Sequence, residues 1–194
     1  MCVALAGEGI ELRQAGIDAP ILVMSEQPVS QHGEMIDHEL TATLYNEATI
    51  SDYADAARVR GRVAKVHLKV DTGMHRVGAS IACAVSRAQQ IAADSSLQLE
   101  GIYTHFATAD ETDLTFARRQ LQAFEDCLND CHLHQSPAVI KHACNTAAAL
   151  RLPQAHLDMV RCGIGLYGYS CLPDDLACHQ DFRPVLRVEA PVVL

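Results

Sequence analysis

The chain is expected to adopt an α/β fold built on a parallel sheet, and three observations carry that expectation. Seven short apolar runs are each separated from the next by a helix or a helix-like crossover. The glycine-rich turn, Gly163-Ile164-Gly165-Leu166-Tyr167-Gly168, follows the last run and not the first. The fourth run, Val66 to Val70, carries Lys69 and is followed at once by Asp71 and Arg76, so charge gathers at a strand end.

Taken in order, Cys2 to Ala6 reads as a strand and Glu8 to Ala15 as a helix closed by Gly16, a residue suited to a left-handed cap. Ile21-Leu22-Val23-Met24 is the second strand, with a crossover from Ser30 to His38. Thr43-Leu44-Tyr45 is the third, followed by a helix over Ser51 to Arg60. Val63 to Val70 precedes a helix from Ile81 to Ala93, and Leu99 to Phe106 precedes a long helix from Asp113 to Cys131. Val139 to Ala143 leads into a short helix, Thr146 to Leu150, and His156 to Val160 into the glycine-rich turn.

Two parallel architectures compete. A doubly wound open sheet usually marks its ligand site with a glycine-rich turn after the first strand. Here Ala6-Gly7-Glu8-Gly9 opens a helix bearing Glu8 and Glu11, and carboxylates there repel phosphate. A turn after the final strand suits a (β/α)8 barrel of the TIM type, which often holds phosphate between its last loops. Seven strands leave such a barrel incomplete. Past Tyr169 the character changes. Pro173, Asp174 and Asp175 form a polar link, and Phe182 to Ala190 alternates like an antiparallel edge strand. The division expected is a partial barrel domain over 1–172 and, over 173–194, a linker with the first strand of a β-rich C-terminal domain. Both ends are expected to be truncated relative to a stable fold.

Composition narrows the function classes. A net charge of −9 disfavours nucleic-acid backbones and anionic membranes as main partners. No apolar run reaches the roughly 20 residues that span a bilayer, and Glu8 arrives too early for a signal peptide, so a cytoplasmic location is expected. The eight cysteines are spread from Cys2 to Cys178 in a chain that is not small, and reduced thiols are expected. Cys127, Cys131, His132 and His134 imitate a metal cluster but lack a second ligand group at zinc-site spacing, so no metal is assigned.

Strand alternation puts His67, Lys69 and Asp71 on one face and Val66, Leu68 and Val70 on the other. A lysine among β-branched residues must be paired, modified or used. Pairing with Asp71 and use as a Schiff-base amine are both open readings. Sites of such barrels lie at the carboxyl ends of the strands, which here offer Lys69, Asp71 and Arg76; Thr104 and His105; Asn145 and Thr146; and Arg161, Gly163 and Ile164. Turn amides at Asn145-Thr146 and Gly163-Ile164 suit an anion. Arg161, at the end of an apolar strand, requires planar acceptors or a ring. It could share a bond with His105 only if the histidine stays neutral and accepts.

At these residues the chain resembles the alanine racemases, pyridoxal-phosphate enzymes of fold type III. The resemblance rests on His67-Leu68-Lys69-Val70-Asp71-Thr72-Gly73-Met74-His75-Arg76-Val77-Gly78, Tyr103-Thr104-His105-Phe106-Ala107, His142-Ala143-Cys144-Asn145-Thr146-Ala147-Ala148 and His156 to Ile164. Gly9 to Arg13 and Ala19 to Val23 match as well, so it covers nearly the whole chain. It implies an isomerase that interconverts L- and D-alanine, supplies D-alanine for peptidoglycan and works as a homodimer. By the same resemblance Lys69 is carbamylated and orients Arg76, which lies near the substrate carboxylate and the cofactor's phenolic oxygen. Arg161 faces the pyridine nitrogen with His105 behind it. Asn145, Thr146 (commonly serine in the family), Gly163 and Ile164 complete the cofactor site. Cys162 stands where proline is usual. The Schiff-base lysine and the tyrosine base of the partner subunit are expected to lie outside the chain, so the fragment holds neither catalytic base. Alternatives are a non-catalytic phosphate or pyridoxal-phosphate module and a racemase for serine or another amino acid.

Overall fold

The computed structural model describes residues 1–173 and 182–190. Strands β1 (Cys2–Val3), β2 (Leu22–Val23), β3 (Thr41–Leu44), β4 (Ala64–Asp71), β6 (Leu97–Tyr103) and β7 (Ile140–His142) lie side by side in that order, all parallel, while the two-residue β5 (Ala79–Ser80) pairs with the end of β4. Helices α1 (Ala6–Gln14), α2 (Val29–Asp37), α3 (Glu47–Val59), α4 (Ile81–Ala93), α5 (Thr115–Asp130) and α6 (Thr146–Arg151) make the crossovers. The result is a half-barrel of parallel strands with helices outside, the incomplete TIM-type architecture that the alternation implies.

The pleat of β4 explains the division of labour in the sheet. Val66, Leu68 and Val70 are buried against the helical layer, while His67 and Lys69 turn to the opposite face and are buried there as well. The helices seal the first face with small residues at helical spacing: Ala54 and Ala57 beside Ile50 and Tyr53 on α3, and Ala84 and Ala88 beside Ile91 on α4. On α5 the buried stripe is Ala117, Leu121, Phe124, Cys127 and Leu128, with Gln120 as its one polar member. At the first βα turn, Glu8 Oε2 accepts the amides of Ala4 (2.8 Å) and Leu5 (3.0 Å). A carboxylate of the protein therefore occupies the place where a doubly wound fold would hold phosphate.

Some elements differ from expectation. The first strand is shorter, and its helix starts at Ala6. The expected seventh strand, His156 to Val160, is reduced to a bridge between Met159 and His142, with Asp158 N donating to Lys141 O and Arg161 N to Cys144 O. The cause is local: His156 is helical at the end of the 3-10 turn Pro153–Ala155, and Leu157 has φ 48°. Phe182 to Ala190 forms no strand either. Pro184 has no N–H, Val185 and Val188 are exposed, and among the described residues the segment is tied to the rest of the backbone through Val185 N, which donates to Tyr167 O (3.1 Å). An alternating run with no neighbouring ladder and no face to bury does not hold an extended conformation. The link residues Asp174 and Asp175 and the terminal Pro191 to Leu194 lie outside the described residues.

Candidate active site at the carboxyl ends of the strands

Arg161 is the centre of the site. It is buried, and its guanidinium is gripped from two strands: Nη1 donates to His142 Nδ1 (2.5 Å), while Nη2 donates to Thr104 O (2.7 Å), Ala143 O (3.0 Å) and His105 Nδ1 (3.3 Å). These acceptors sit where β6 and β7 end, because parallel strands deliver their last carbonyls to the same edge. The third nitrogen, Nε, is buried without a hydrogen-bond partner among the described residues. Buried donors are almost always paired, so a buried nitrogen with no partner beside two bonded ones points to a ligand.

Tyr103 forms the floor. Its ring stacks on His142 (centroids 4.5 Å apart, planes at 10°) and lies 5.1 Å from Arg161 Cζ and 5.3 Å from Lys69 Nζ. The hydroxyl bonds Thr43 Oγ1 (2.9 Å) and Met24 O (3.1 Å), and burial pushes its pKa up to about 12. Tyr103 is therefore a fixed, neutral platform rather than an acid.

Lys69 is buried over that platform. Burial, with the charges of Arg76 and Arg161 adding, brings its pKa down to about 8. Among the described residues Lys69 forms no ion pair with Asp71, whose charge only partly offsets the lowering; Asp71 Oδ1 instead accepts the amides of Gly73 (2.9 Å), Met74 (2.9 Å) and His75 (3.1 Å), shaping the loop after β4. Arg76, exposed on this loop, lines a small pocket with Lys69, Thr104 and His105. Burial, then Arg161, Lys69 and Arg76, hold the His105 imidazole down at about 4, so it is neutral at pH 7 and can accept from Arg161. The loop carrying it is pinned by Gln120 of α5, which donates to His105 O (3.2 Å) and accepts from Ala107 N (2.9 Å).

Asn145 caps α6, its side chain accepting from Ala148 N (3.0 Å), and so is spent on holding the helix start. Thr146 Oγ1 accepts the amides of Gly163 (3.1 Å) and Gly165 (3.3 Å) and draws the start of the 3-10 segment Ile164–Tyr167 onto the start of α6. Gly165 is needed for that approach, since a Cβ there would stand 2.7 Å from Thr146 Cγ2. Gly163 and Ile164 are exposed at the mouth. Lys69, Arg76, His105 and Arg161 are thus brought together, with Thr146 and its turn alongside. Sequence reasoning missed His142, Gln120 and Thr104's carbonyl as supports. The available signal for His142 was its position at a strand end, next to residues already singled out. A larger cavity of about 360 Å³, lined by Leu40, Arg62 and Lys65 among others, lies at the amino ends of the strands, away from this chemistry.

A parallel half-barrel that gathers a desolvated lysine, two arginines and a neutral histidine at the carboxyl ends of its strands has the form of a barrel-enzyme domain. The family model of the alanine racemase N-terminal domain matches residues 1–171, and the chain belongs to that family. It is 36% identical over 194 residues to alanine racemase 2 of Caldanaerobacter subterraneus subsp. tengcongensis, covering 100% of this chain and 50% of the relative. With alanine racemase of Carboxydothermus hydrogenoformans it shares 37% over 193 residues, 98% of this chain and 51% of the relative. A solved alanine racemase of Clostridium difficile 630 superposes with TM-score 0.88 at 34% identity, over 94% of this chain and 48% of that one. The chain spans about half the length of the curated relatives it matches.

Proposed function

We propose that this chain supplies the cofactor-facing wall of an alanine racemase that uses pyridoxal phosphate. The observation that carries the reading is Arg161, held by four acceptors with its Nε buried and unpartnered. In this reading Nε donates to the pyridine nitrogen, and a guanidinium there keeps that nitrogen unprotonated. Thr146, Gly163 and Ile164 hold the phosphate. Asn145 serves through the α6 cap, and His105 backs Arg161 as a neutral acceptor. Pyridoxal phosphate, when bound, supplies an electron sink for the pair left on the substrate's α-carbon, one weakened by the unprotonated ring.

Lys69 serves best as a carbamate. The free amine, favoured by its lowered pKa, adds to carbon dioxide and loses a proton, giving an N-carboxylate. The product is an anion between two guanidiniums in place of a cation, so Arg76 is attracted and oriented toward a substrate carboxylate. The other lysines serve elsewhere: Lys65 pairs with Glu100 (2.7 Å), and Lys141 pairs with Asp158 (3.0 Å) and donates to Ser136 O (2.9 Å). The substrate read from this family is L- or D-alanine, the assembly a homodimer, and neither proton-transfer base belongs to this chain.

Two measurements on the purified chain test the reading. Supplied with pyridoxal phosphate, it should not racemise L-alanine, and borohydride trapping followed by peptide mapping should leave Lys69 unlabelled. Turnover that depends on Lys69, or label on it, overturns the assignment.

A further inference from the structure

A row of polar groups, two buried histidines and a half-buried carboxylate, continues behind Arg161 toward the amino ends of the strands, and the reading above gives it no task. It consists of His142, His67 and Glu100. Arg161 Nη1 donates to His142 Nδ1, and a guanidinium offers no acceptor, so that bond runs in one direction. His142 is therefore neutral, and its proton is on Nε2. That nitrogen lies 2.9 Å from His67 Nδ1, which must then be the acceptor. The proton of His67 is on Nε2 in turn, 3.5 Å from Glu100 Oε2. Glu100 is anchored by Lys65 (2.7 Å) and by the Thr41 hydroxyl (3.1 Å). Every proton in the row is thus placed by the arginine at one end and matched by the carboxylate at the other.

The fold makes room for this row. His67 of β4 faces Gly101 of β6 in register, next to the irregularity between Val66 and His67. A Cβ at Gly101 would stand 2.5 to 2.7 Å from three atoms of the His67 ring. The imidazole fills the space that a side chain on β6 would take, and the stacked Tyr103 ring holds His142 from the side.

We infer that His67, with Glu100 behind it, is a positioning residue that accepts the Nε2–H of His142, holds that ring in the tautomer Arg161 requires, and so aims the Arg161 guanidinium at the cofactor ring. The inference rests on the cofactor reading of Arg161 for its last step alone, since the tautomers follow from the row itself. No proton moves along the row, whose contribution is a fixed donor direction.

The test uses the full chain labelled with 15N-histidine. Long-range proton–nitrogen correlation at neutral pH should show His67 and His142 each as a single Nε2–H tautomer. In His67→Phe, which keeps a ring but removes the acceptor, the Nε2–H of His142 is left buried and unpaired, so the ring should leave Arg161 part of the time and become a mixture of tautomers. In His67→Asn, whose amide oxygen replaces Nδ1, the single tautomer should return. Binding of 4′-deoxypyridoxine 5′-phosphate, which has the ring and phosphate but no aldehyde, should weaken roughly tenfold in the Phe variant, the scale of one buried donor left unpaired, and largely recover in the Asn variant. A His142 protonated on Nδ1 in the unaltered chain overturns the inference, and that outcome needs no variant to fold. So does an unchanged tautomer with unchanged affinity in His67→Phe. If the unaltered chain shows the expected tautomers but does not bind the probe, it is the cofactor reading, and the aiming built on it, that falls.

Discussion

Replacing Arg161 by lysine tests whether the fork geometry, rather than positive charge alone, holds the carboxyl edge of the sheet together. The guanidinium meets four acceptors on two strand ends, at 2.5, 2.7, 3.0 and 3.3 Å. An ammonium concentrates its donors on one atom and cannot face His142 and the pair of carbonyls at once. At least two buried acceptors, one of them the carbonyl of Thr104 or Ala143, then lose their partner. Each costs roughly 1–3 kcal/mol, so Arg161→Lys should destabilise the chain by about 2–6 kcal/mol, a large share of a typical domain's stability. At a urea slope of about 2 kcal/mol per molar, the unfolding midpoint should fall by about 1–3 M with the slope unchanged. A shift below about 0.3 M would show that these bonds carry no net stability and would refute the reasoning.

The remaining predictions cover the core, the titrating groups, the turn and the lysine. Phe124→Ala empties a fully buried position on α5 and should cost about 3–5 kcal/mol in thermal or chemical unfolding, whereas a loss under about 1 kcal/mol would mean that the helical layer collapses into the space. His105 titrates at about 4 in the fold against its ordinary 6.5, so its contribution is complete above pH 6.5 and disappears as pH falls toward 4, worth up to ~3 kcal/mol. Glu100, lowered to about 2 by His67 against the opposing push of burial, and further by Lys65, extends the same sign of loss from about pH 4.5 downward. Stability curves for His105→Gln and Glu100→Gln should each flatten in their own window, and parallel curves would falsify the assignment. Thr146→Val deletes the oxygen that two turn amides use and should weaken 4′-deoxypyridoxine 5′-phosphate binding about tenfold, while Thr146→Ser should leave it near the starting value. In 13C-bicarbonate, a carbamate carbon signal should appear and should vanish in Lys69→Ala; its persistence in the variant would move the carbamate elsewhere.

Much of this architecture was legible because the signals are local. The period-two pleat from Val66 to Asp71 separates the packing face from the chemical one without reference to any other strand, and the structure keeps that division. The glycine-rich turn after the last apolar run, with Glu8 occupying the first turn, already favours a barrel over a doubly wound sheet. What stayed hidden depends on register between strands. Nothing near His67 in sequence indicates that Gly101 will face it, or that His142 will come within 2.9 Å of it. Nor could hydrophobic period reveal that Leu157 turns left-handed and breaks the run His156 to Val160. The alternation over Phe182 to Ala190 meets no ladder among the described residues, and a pattern specifies a strand only where there is a ladder and a surface to receive it. β5, at two residues, is too short for any period to mark.

The most direct test of the central claim is calorimetric titration of the unaltered chain and of Arg161→Met with 4′-deoxypyridoxine 5′-phosphate. The claim predicts saturable one-to-one binding by the unaltered chain and at least a tenfold loss in the variant, because the buried Nε donor meets the ring nitrogen. Equal affinity in the two proteins, or no binding by a folded unaltered chain, would contradict it.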